Sequence, residues 1–532
     1  MGLVCHIEGY RRIWMFPRNI RSIYPWKMAQ IQALMIHAIQ RGDWEQRIQN
    51  SFCSALENAG LKSRGVQYDP HSGGPRTYLS QLKCLGLLFS RDDGSIFPTL
   101  AGKDLADGKP PLPILQQMLL DHQYPSAYSR FQNVRINPQL KVKPFLFVLE
   151  LLHCPEINYL SNAELSIPVI YGHNHDCLDI CRDKIIRLRN GATFTSIIDN
   201  SVEDIYLPRS RSDFELDLAN IRDIANTCKN YLKACCLVYE DSSSGEQRIL
   251  FNDDVSELYE SAVQRKESFI TKSTEESFQR AYGAWNKRKD TRRLVNEDAV
   301  NPNGAKAGII LSSFYSLCGH DIITELPNDF IDTMATNYGF SKNEIVEVIE
   351  PHLNSAIDYY ESTFLDSARG GVATALTFEK SLKDLMDKKF NFFAKHTGQI
   401  LRNGVGGYAD VFIVADDYNN CAILDAKASP SYAISSEDYS KLVSNYIPHY
   451  KELIDKFDEL RGRDISLEFC SYVAGGFSGN IAYKLSEASR ATGVPCSAIR
   501  ARDLLNLAKS GTAQLDIRNG MKNIKLLGVE DF

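Results

Sequence analysis

Residues 409–427 read Ala-Asp-Val-Phe-Ile-Val-Ala-Asp-Asp-Tyr-Asn-Asn-Cys-Ala-Ile-Leu-Asp-Ala-Lys, and the fold of the carboxyl-terminal third turns on this stretch. Ala409 to Val414 has the apolar, β-branched character of a strand, Asp416 to Asn420 supplies turn residues, and Cys421 to Lys427 is a second apolar run that reads as the partner strand. Alternate residues of a strand point to one face, so Asp425 and Lys427 share a side and Asp410 can face them across the hairpin. Upstream, Phe378, Leu382, Leu385 and Met386 fall at i, i+4, i+7 and i+8, the buried stripe of a helix, with Glu379 beside it. Downstream, Leu467 to Val473 fits a further strand and Ala498 to Leu507 a strand-to-helix step. The order predicts an α/β core over residues 366–532.

Two carboxylates converging beside a lysine suit a definite chemistry. Hydrolysis of a phosphodiester needs bound Mg²⁺ to offset charge on the transferring phosphoryl group and to acidify the attacking water. Asp410 and Asp425 are expected to hold the metal, and Glu379 to add a carboxylate from the helix. Lys427 is expected to orient the water or to stabilise developing negative charge. Asp, a spacer and then Asp/Glu-x-Lys is the signature of the PD-(D/E)xK nuclease superfamily. In a chain of this length that spacing recurs by accident about two or three times, so the signal lies in its placement on adjacent strands after an acid-bearing helix. The competing reading is a pair of surface acids on an ordinary hairpin. Rival signatures are poorer: Gly476-Phe477-Ser478-Gly479-Asn480 has Asn480 where a nucleophile elbow ends in glycine, no Walker A sequence occurs, and Gly404 to Gly407 precedes a strand instead of opening a helix.

The whole chain has 532 residues, 44% of them hydrophobic and 24% charged, which is the composition of an ordinary globular protein of two to four domains. Its net charge of −6 excludes a uniformly basic coat, but the charge is unevenly spread. Residues 1–150 carry 18 Lys and Arg against 11 Asp and Glu, or +7, which leaves −13 for the remainder. The amino-terminal part therefore suits an anionic partner, although a solvated basic face has the same composition. The longest apolar stretch, Phe145 to Leu152, is interrupted by Glu150 and falls far short of the roughly 20 residues a bilayer requires. No secretory h-region opens the sequence, so a cytoplasmic location without membrane association is expected. Thirteen cysteines, an odd number, fit reduced thiols. His173, His175, Cys177 and Cys181 form the one soft-ligand cluster, but they run straight into a helical pattern instead of forming two separated pairs, which favours core packing over zinc.

Within the basic part, Pro75 suits a first helical position, and Leu79, Leu82 and Leu85 supply the apolar stripe of a short helix. Leu87 to Ser90, the turn Asp92-Asp93-Gly94 and Ile96 to Thr99 then read as a two-stranded ribbon before a helix at Leu100 to Ala106. Helix followed by wing is the winged form of helix-turn-helix, and its free face would carry Arg76, Thr77, Ser80, Gln81 and Lys83 to DNA. The competing reading is a small α+β subdomain with a solvated helix. Helices are further expected at Phe145 to Leu152, Asn162 to Leu165, Asp179 to Arg189 and Leu216 to Ala234, the last followed by a hairpin of Cys236 to Tyr239 with Arg248 to Phe251. Residues 254–294 are charged and helix-prone, and Asp298 to Ala305 is the clearest break in mid-chain.

The order of these pieces carries a resemblance. Phe16-Pro17-Arg18-Asn19, the wing segment Leu85 to Leu105, Gln123-Tyr124-Pro125-Ser126 and the helix Pro144 to Leu152 are followed by Glu379, Asp410, Asp425 and His449-Tyr450. Together they resemble the AlwI/MlyI/PleI group of type IIS restriction endonucleases and the related large-subunit nicking enzymes. The resemblance implies a multi-domain α+β and α/β protein. Winged-helix recognition modules would occupy residues 1–140 and 141–255, a helical linker 256–365, and a PD-(D/E)xK nuclease domain 366–532. It implies binding of double-stranded DNA at a short asymmetric site, Mg²⁺-dependent cleavage at a fixed distance, and Glu379, Asp410 and Asp425 as metal-binding acids. His449 falls at an active-site histidine position, and Arg18 joins the DNA-binding residues. The chain departs from the pattern in having Ala409 where a proline is usual. It keeps Lys427, which some nicking relatives lack. A homodimer through the nuclease domain, a small second subunit cutting the other strand, and a strand-specific nickase are all compatible with one nuclease centre per chain. From a different class, a DNA-binding regulator with a decayed nuclease fold is the alternative.

Overall fold

In the computed structural model, which describes residues 3–17, 20–40, 43–62, 73–132, 134–198, 218–241, 245–293, 302–402 and 405–532, the chain folds as two units. The first comprises Met1–Leu317 with Asn328–His352, the second Cys318–Pro327 with Leu353–Phe532.

In the first unit the helix Gly73–Cys84 is followed by the antiparallel pair β1 (Leu88–Ser90) and β2 (Ile96–Pro98), then by the helix Leu100–Ala106. The turn closes because Gly94 adopts φ +84° and the Asp93 carboxylate accepts the Ser95 N–H at 2.9 Å. Thr99 caps the second helix by accepting from the Gly102 N–H (3.1 Å) while donating to the Gly86 carbonyl (2.6 Å). Leu79, Leu82 and Leu85 are buried, as the apolar stripe requires.

Further along, β3 (Tyr159–Ser161), β4 (Val238–Asp241) and β5 (Arg248–Phe251) make a three-stranded antiparallel sheet in the order β3-β5-β4. The sequence pattern identifies the β4–β5 hairpin but not β3, which is only three residues long. Asn162 to Leu165 is a turn and not a helix. Glu164 accepts the Ser161 N–H at 2.7 Å and so closes the turn, and the helix begins at Ser166. The helices Pro144–Leu152, Leu178–Arg189 and Leu218–Ala234 occupy the expected places, residues 216 and 217 lying outside the described set. Of the expected break at Asp298 to Ala305, residues 298–301 are likewise outside it, whereas residues 302–305 open the helix Pro302–His320, with proline at its start.

The second unit is built on a six-stranded mixed sheet. Its strands are β6 (Phe393–His396), β9 (Val411–Val414), β10 (Asn420–Lys427), β11 (Ser466–Ala474), β12 (Cys496–Arg500) and β13 (Leu526–Leu527), in the order β13-β12-β11-β10-β9-β6; the short ribbon β7 (Leu401–Arg402) and β8 (Val405–Gly406) lies apart. β10 to β13 run parallel, and β9 and β6 are antiparallel. The helix Ala375–Lys388 packs on β6, β9 and β10 and fully buries Phe378, Leu382, Leu385 and Met386, each side chain contributing about 1.5–3 kcal/mol. The helices Ile481–Thr492 and Ala501–Ser510 end on the left-handed glycines Gly493 and Gly511 (both φ +72°). The parallel strands β10, β11 and β12 stop in register at Lys427, Ala474 and Arg500, the edge where open α/β sheets form their crevices. Among the described residues no helix is long and apolar enough to cross a membrane.

Candidate active site

Asp410 lies one residue before β9, and the end of β6 holds its backbone. The Thr397 and Gly398 N–H groups donate to the Asp410 carbonyl at 2.7 and 3.2 Å, and the Thr397 hydroxyl donates to the Ala409 carbonyl at 2.6 Å. The Asp410 side chain then reaches across to β10, where Oδ2 accepts the Ala426 N–H at 2.8 Å. One acid is thereby tied to the residue between the other acid and the lysine.

Asp425 is 4% exposed, and its Oδ2 lies 3.1 Å from Lys427 Nζ, so the two side chains of the hairpin do share a face. Burial, then the Asp425 and Glu379 charges, push the Asp410 carboxyl well above the ordinary carboxylate range. Although burial opposes its charge, Lys427 is held above its usual value by Asp425, Asp410 and Asp438. Asp438 lies 3.5 Å from Lys427 Nζ in the first turn of the helix Ser436–Lys441, where the Ser435 hydroxyl caps the helix and donates to the Asp438 carboxylate at 2.7 Å. Against the upward push of its burial, Ser435 and Lys427 bring the Asp438 carboxyl below its ordinary value. The ammonium is therefore clasped between two carboxylates instead of standing free.

Glu379 joins this group from the helix Ala375–Lys388. A Cβ placed on Gly398 would lie 2.7 Å from Asp410 Oδ1 and 3.4 Å from Glu379 Oε2, so the missing side chain of Gly398 makes room for both acids. His396 Nε2 lies 2.7 Å from the same Glu379 oxygen. Aromatic hydroxyls complete the surroundings. The Tyr432 ring centroid is 5.8 Å from Lys427 Nζ and 5.7 Å from the Tyr472 ring, and burial, then nearby carboxylates, raise the hydroxyls of Tyr432, Tyr446 and Tyr472. Tyr446 ends a π-helical turn, Leu442–Tyr446, a local irregularity common at functional sites.

The structure thus brings together Glu379, Asp410, Asp425 and Lys427. His449 precedes the helix Tyr450–Lys456, with Nδ1 2.7 Å from the Asn445 carbonyl; the histidine bonded to an acid of the cluster is His396. Sequence reasoning missed His396, Asp438 and the three tyrosines. Ser435-x-x-Asp438 is visible as a capping pattern, but nothing in Lys395-His396-Thr397-Gly398 marks a site.

The expected DNA-facing residues divide. Arg76 is exposed and Thr77 half-buried on the helix Gly73–Cys84, and Ser80 is hydrogen-bonded to Gln132. Gln81 does not lie on the free face. It is fully buried, accepting the Ile20 N–H (2.9 Å), donating to the Ile20 carbonyl (3.0 Å) and meeting the Tyr231 hydroxyl, because the helix packs on two sides instead of one. Lys83 is also turned inward, 12% exposed, with Nζ 2.8 Å from Glu275 and 2.7 Å from the Ser90 hydroxyl. Arg18 is outside the described residues.

The acids supply hard oxygen donors, and the burial and neighbouring charge that together raise Asp410 are what a divalent cation would offset. Among the described residues no group of three or more His, Cys, Asp or Glu side chains is already gathered as a metal cage, so water and substrate oxygens would have to complete the coordination. The His173–Cys181 cluster is structural. His173 Nδ1 accepts the Val4 N–H at 3.1 Å while Nε2 faces the Arg12 and Ile170 carbonyls, and His175 is paired with Glu150.

Asp425 and Lys427 thus stand at the carboxyl end of a parallel strand in a mixed sheet, with Asp410 and Glu379 beside them. Residues 339–525 match the family described as the FokI cleavage domain. Among solved structures, the restriction endonuclease FokI gives a TM-score of 0.29 at 12% identity, covering 99% of this chain and 100% of that one; FokI bound to DNA gives 0.28 at 13%, covering 98% and 99%. A structure of modified DNA with the BpuJ1 endonuclease binding domain gives 0.36 at 16%, covering 53% of this chain and 97% of that one. No curated protein matches the sequence. The chain is an enzyme carrying, in residues 339–525, the cleavage domain of a type II site-specific deoxyribonuclease.

Proposed function

We propose that this protein is a Mg²⁺-dependent type IIS restriction endonuclease similar to the AlwI/MlyI/PleI group. It would bind a short asymmetric site in double-stranded DNA and hydrolyse phosphodiester bonds at a fixed distance from it. The observation that carries the reading is the meeting of Asp410, Asp425, Glu379 and Lys427 on β9, β10 and the adjoining helix, inside the segment that matches a cleavage domain. Residues 366–532, which lie within the second unit, would be the PD-(D/E)xK domain, residues 1–140 and 141–255 the winged-helix recognition part, and residues 256–365 a helical linker. The β1–β2 ribbon after the helix Gly73–Cys84 supports a wing, and Arg76, Thr77 and Arg18 would be among its DNA contacts.

Asp410 and Asp425, with Glu379, would hold the cation. When bound, Mg²⁺ offsets charge on the phosphoryl oxygens and acidifies a water. The chain's own groups supply fixed geometry: Asp410 is pinned by Ala426, Thr397 and Gly398, so its carboxylate does not reorganise during reaction. Lys427, kept charged by Asp425 and Asp438, presents an ammonium to the phosphate oxygens or to the attacking water. His449, at the foot of the helix Tyr450–Lys456, would act at longer range, through the segment that also carries Tyr446.

A single centre of the Asp410, Asp425 and Lys427 kind among the described residues favours, as a second reading, a strand-specific nickase or the large subunit of a heterodimer; pairing of two nuclease domains would give double-strand cuts. Run-off sequencing of digested plasmid tests the proposal, because it reports site, offset and number of strands cut. A single offset from one asymmetric sequence supports it, linear product separates pairing from nicking, and intact DNA at every Mg²⁺ concentration leaves the non-catalytic regulator.

A further inference from the structure

The end of β6 touches both acids that face each other across Gly398. His396 is the last residue of β6 and is paired in register with Val411, next to Asp410. Its Nε2 lies 2.7 Å from Glu379 Oε2, both side chains 17% exposed. That oxygen and Asp410 Oδ1 both border the space over Gly398, 3.4 and 2.7 Å from where a Cβ would stand. Without a donor, two carboxylates so placed would swing apart, and Glu379, on a helix surface with three side-chain torsions, would move first. Thr397 and Gly398, the next two residues, fix the Asp410 carbonyl by their N–H groups.

From this juxtaposition we infer that His396 is a positioning residue. Its Nε2–H donates to Glu379 and holds that carboxylate against Asp410, so that the two acids present a shared cation site before the cation arrives. The inference rests on the metal-dependent nuclease reading and deepens it: His396-Thr397-Gly398 becomes one structural device that sets one acid by a side chain, the other by backbone N–H groups, and leaves space for both by lacking a Cβ. The imidazole touches neither substrate nor reacting water in this role. Carboxylates that ligate metals are themselves oriented by hydrogen bonds from groups outside the coordination sphere, and loss of such partners costs about 10–100-fold in metal affinity or activity.

The test uses the full-length chain and Mn²⁺ as the probe, with bound Mn²⁺ read from the loss of the free-ion electron paramagnetic resonance signal. His396→Ala is expected to weaken Mn²⁺ binding by about 10-fold or more, and to shift the Mg²⁺ dependence of plasmid cleavage upward by a similar factor. His396→Gln, whose amide N–H can donate from nearly the same place, is expected to stay within about threefold of the parent, with unchanged thermal midpoints in all variants. A merely structural histidine would lower the midpoint in both variants without selective recovery by Gln. Mn²⁺ affinity in His396→Ala equal to the parent, while Asp410→Ala abolishes it, overturns the role of His396 alone. Absence of Mn²⁺ binding and of cleavage in the parent chain overturns the nuclease reading itself.

Discussion

Gly398→Ala is the sharpest perturbation the site allows, because it adds one carbon and no charge. Gly398 is not in the left-handed region, so alanine brings no backbone penalty. Its Cβ would sit 2.7 Å from Asp410 Oδ1, about 0.7 Å inside the 3.4 Å at which ordinary contact begins, and 3.4 Å from Glu379 Oε2. Asp410 cannot turn away freely: rotation would break the 2.8 Å bond from the Ala426 N–H, and its backbone is clamped by Thr397 and Gly398. The acid must therefore shift by several tenths of an ångström as a body. Overpacking of this kind costs about 1–3 kcal/mol of stability, whereas misplacing a reactive constellation by about 1 Å can cost 10²-fold in rate. The variant should fold, with a modestly lowered melting temperature, and single-turnover cleavage of a cognate duplex should slow by about 10- to 100-fold. Binding of the same duplex in Ca²⁺ should be unchanged. Cleavage at the parental rate would refute the reasoning, since it would mean that the space over Gly398 is not used to hold the acids.

Other expectations follow from the same geometry. Asp410→Asn should raise the melting temperature of the metal-free protein by roughly 2–4 °C, because an amide can still accept from Ala426 while putting no ionisable group into a buried place beside Asp425 and Glu379; an unchanged or lower midpoint in a thermal scan would contradict a cost of burying that acid. Gln81→Ala should cost about 2–4 kcal/mol of unfolding free energy by stranding buried groups of Ile20 and Tyr231, and any loss of affinity should be equal on cognate and random DNA, in contrast with Arg76→Ala, which should lose cognate binding preferentially. His122 and His173, whose pKa values burial lowers to about 4, are neutral in the fold. Their contribution is complete above the unfolded value near 6.5 and is lost as pH falls from there toward 4, at up to about 1.4 kcal/mol per pH unit for each histidine. Chemical denaturation between pH 7 and pH 4.5 should show this slope, and His122→Asn should reduce it. Affinity for DNA should fall steeply with added salt if Arg76 and its neighbours meet phosphates, and a flat salt dependence would remove them from that surface.

The strands of the second unit were legible because their signal is local: Val411 to Val414 and Cys421 to Lys427 are unbroken apolar runs around an obvious turn, and the two-residue spacing of Asp425 and Lys427 fixes their common side. Glu379 was legible through the stripe beside it. His396 and Asp438 were not, since their roles depend on which strand pairs with β9 and where the helix after β10 begins, both of them non-local facts. The same limitation explains Gln81 and Lys83. A three-leucine stripe implies one buried face, but the helix Gly73–Cys84 also packs against residues far away in sequence, Tyr231 and Glu275 among them, and its polar residues on that side became core links. At Asn162 to Leu165 a short polar-apolar run has the same pattern in a turn as in the first turn of a helix, and the Glu164–Ser161 bond is what makes it a turn.

Supercoiled plasmid digestion with Mg²⁺ by the parent chain and by Asp425→Ala bears most directly on the account. The parent should convert circles to discrete open or linear products, cut at a constant distance from one sequence. Asp425→Ala should leave the plasmid supercoiled while binding it as tightly in Ca²⁺. Products from Asp425→Ala at the parental rate, or metal-independent products from the parent, would contradict it.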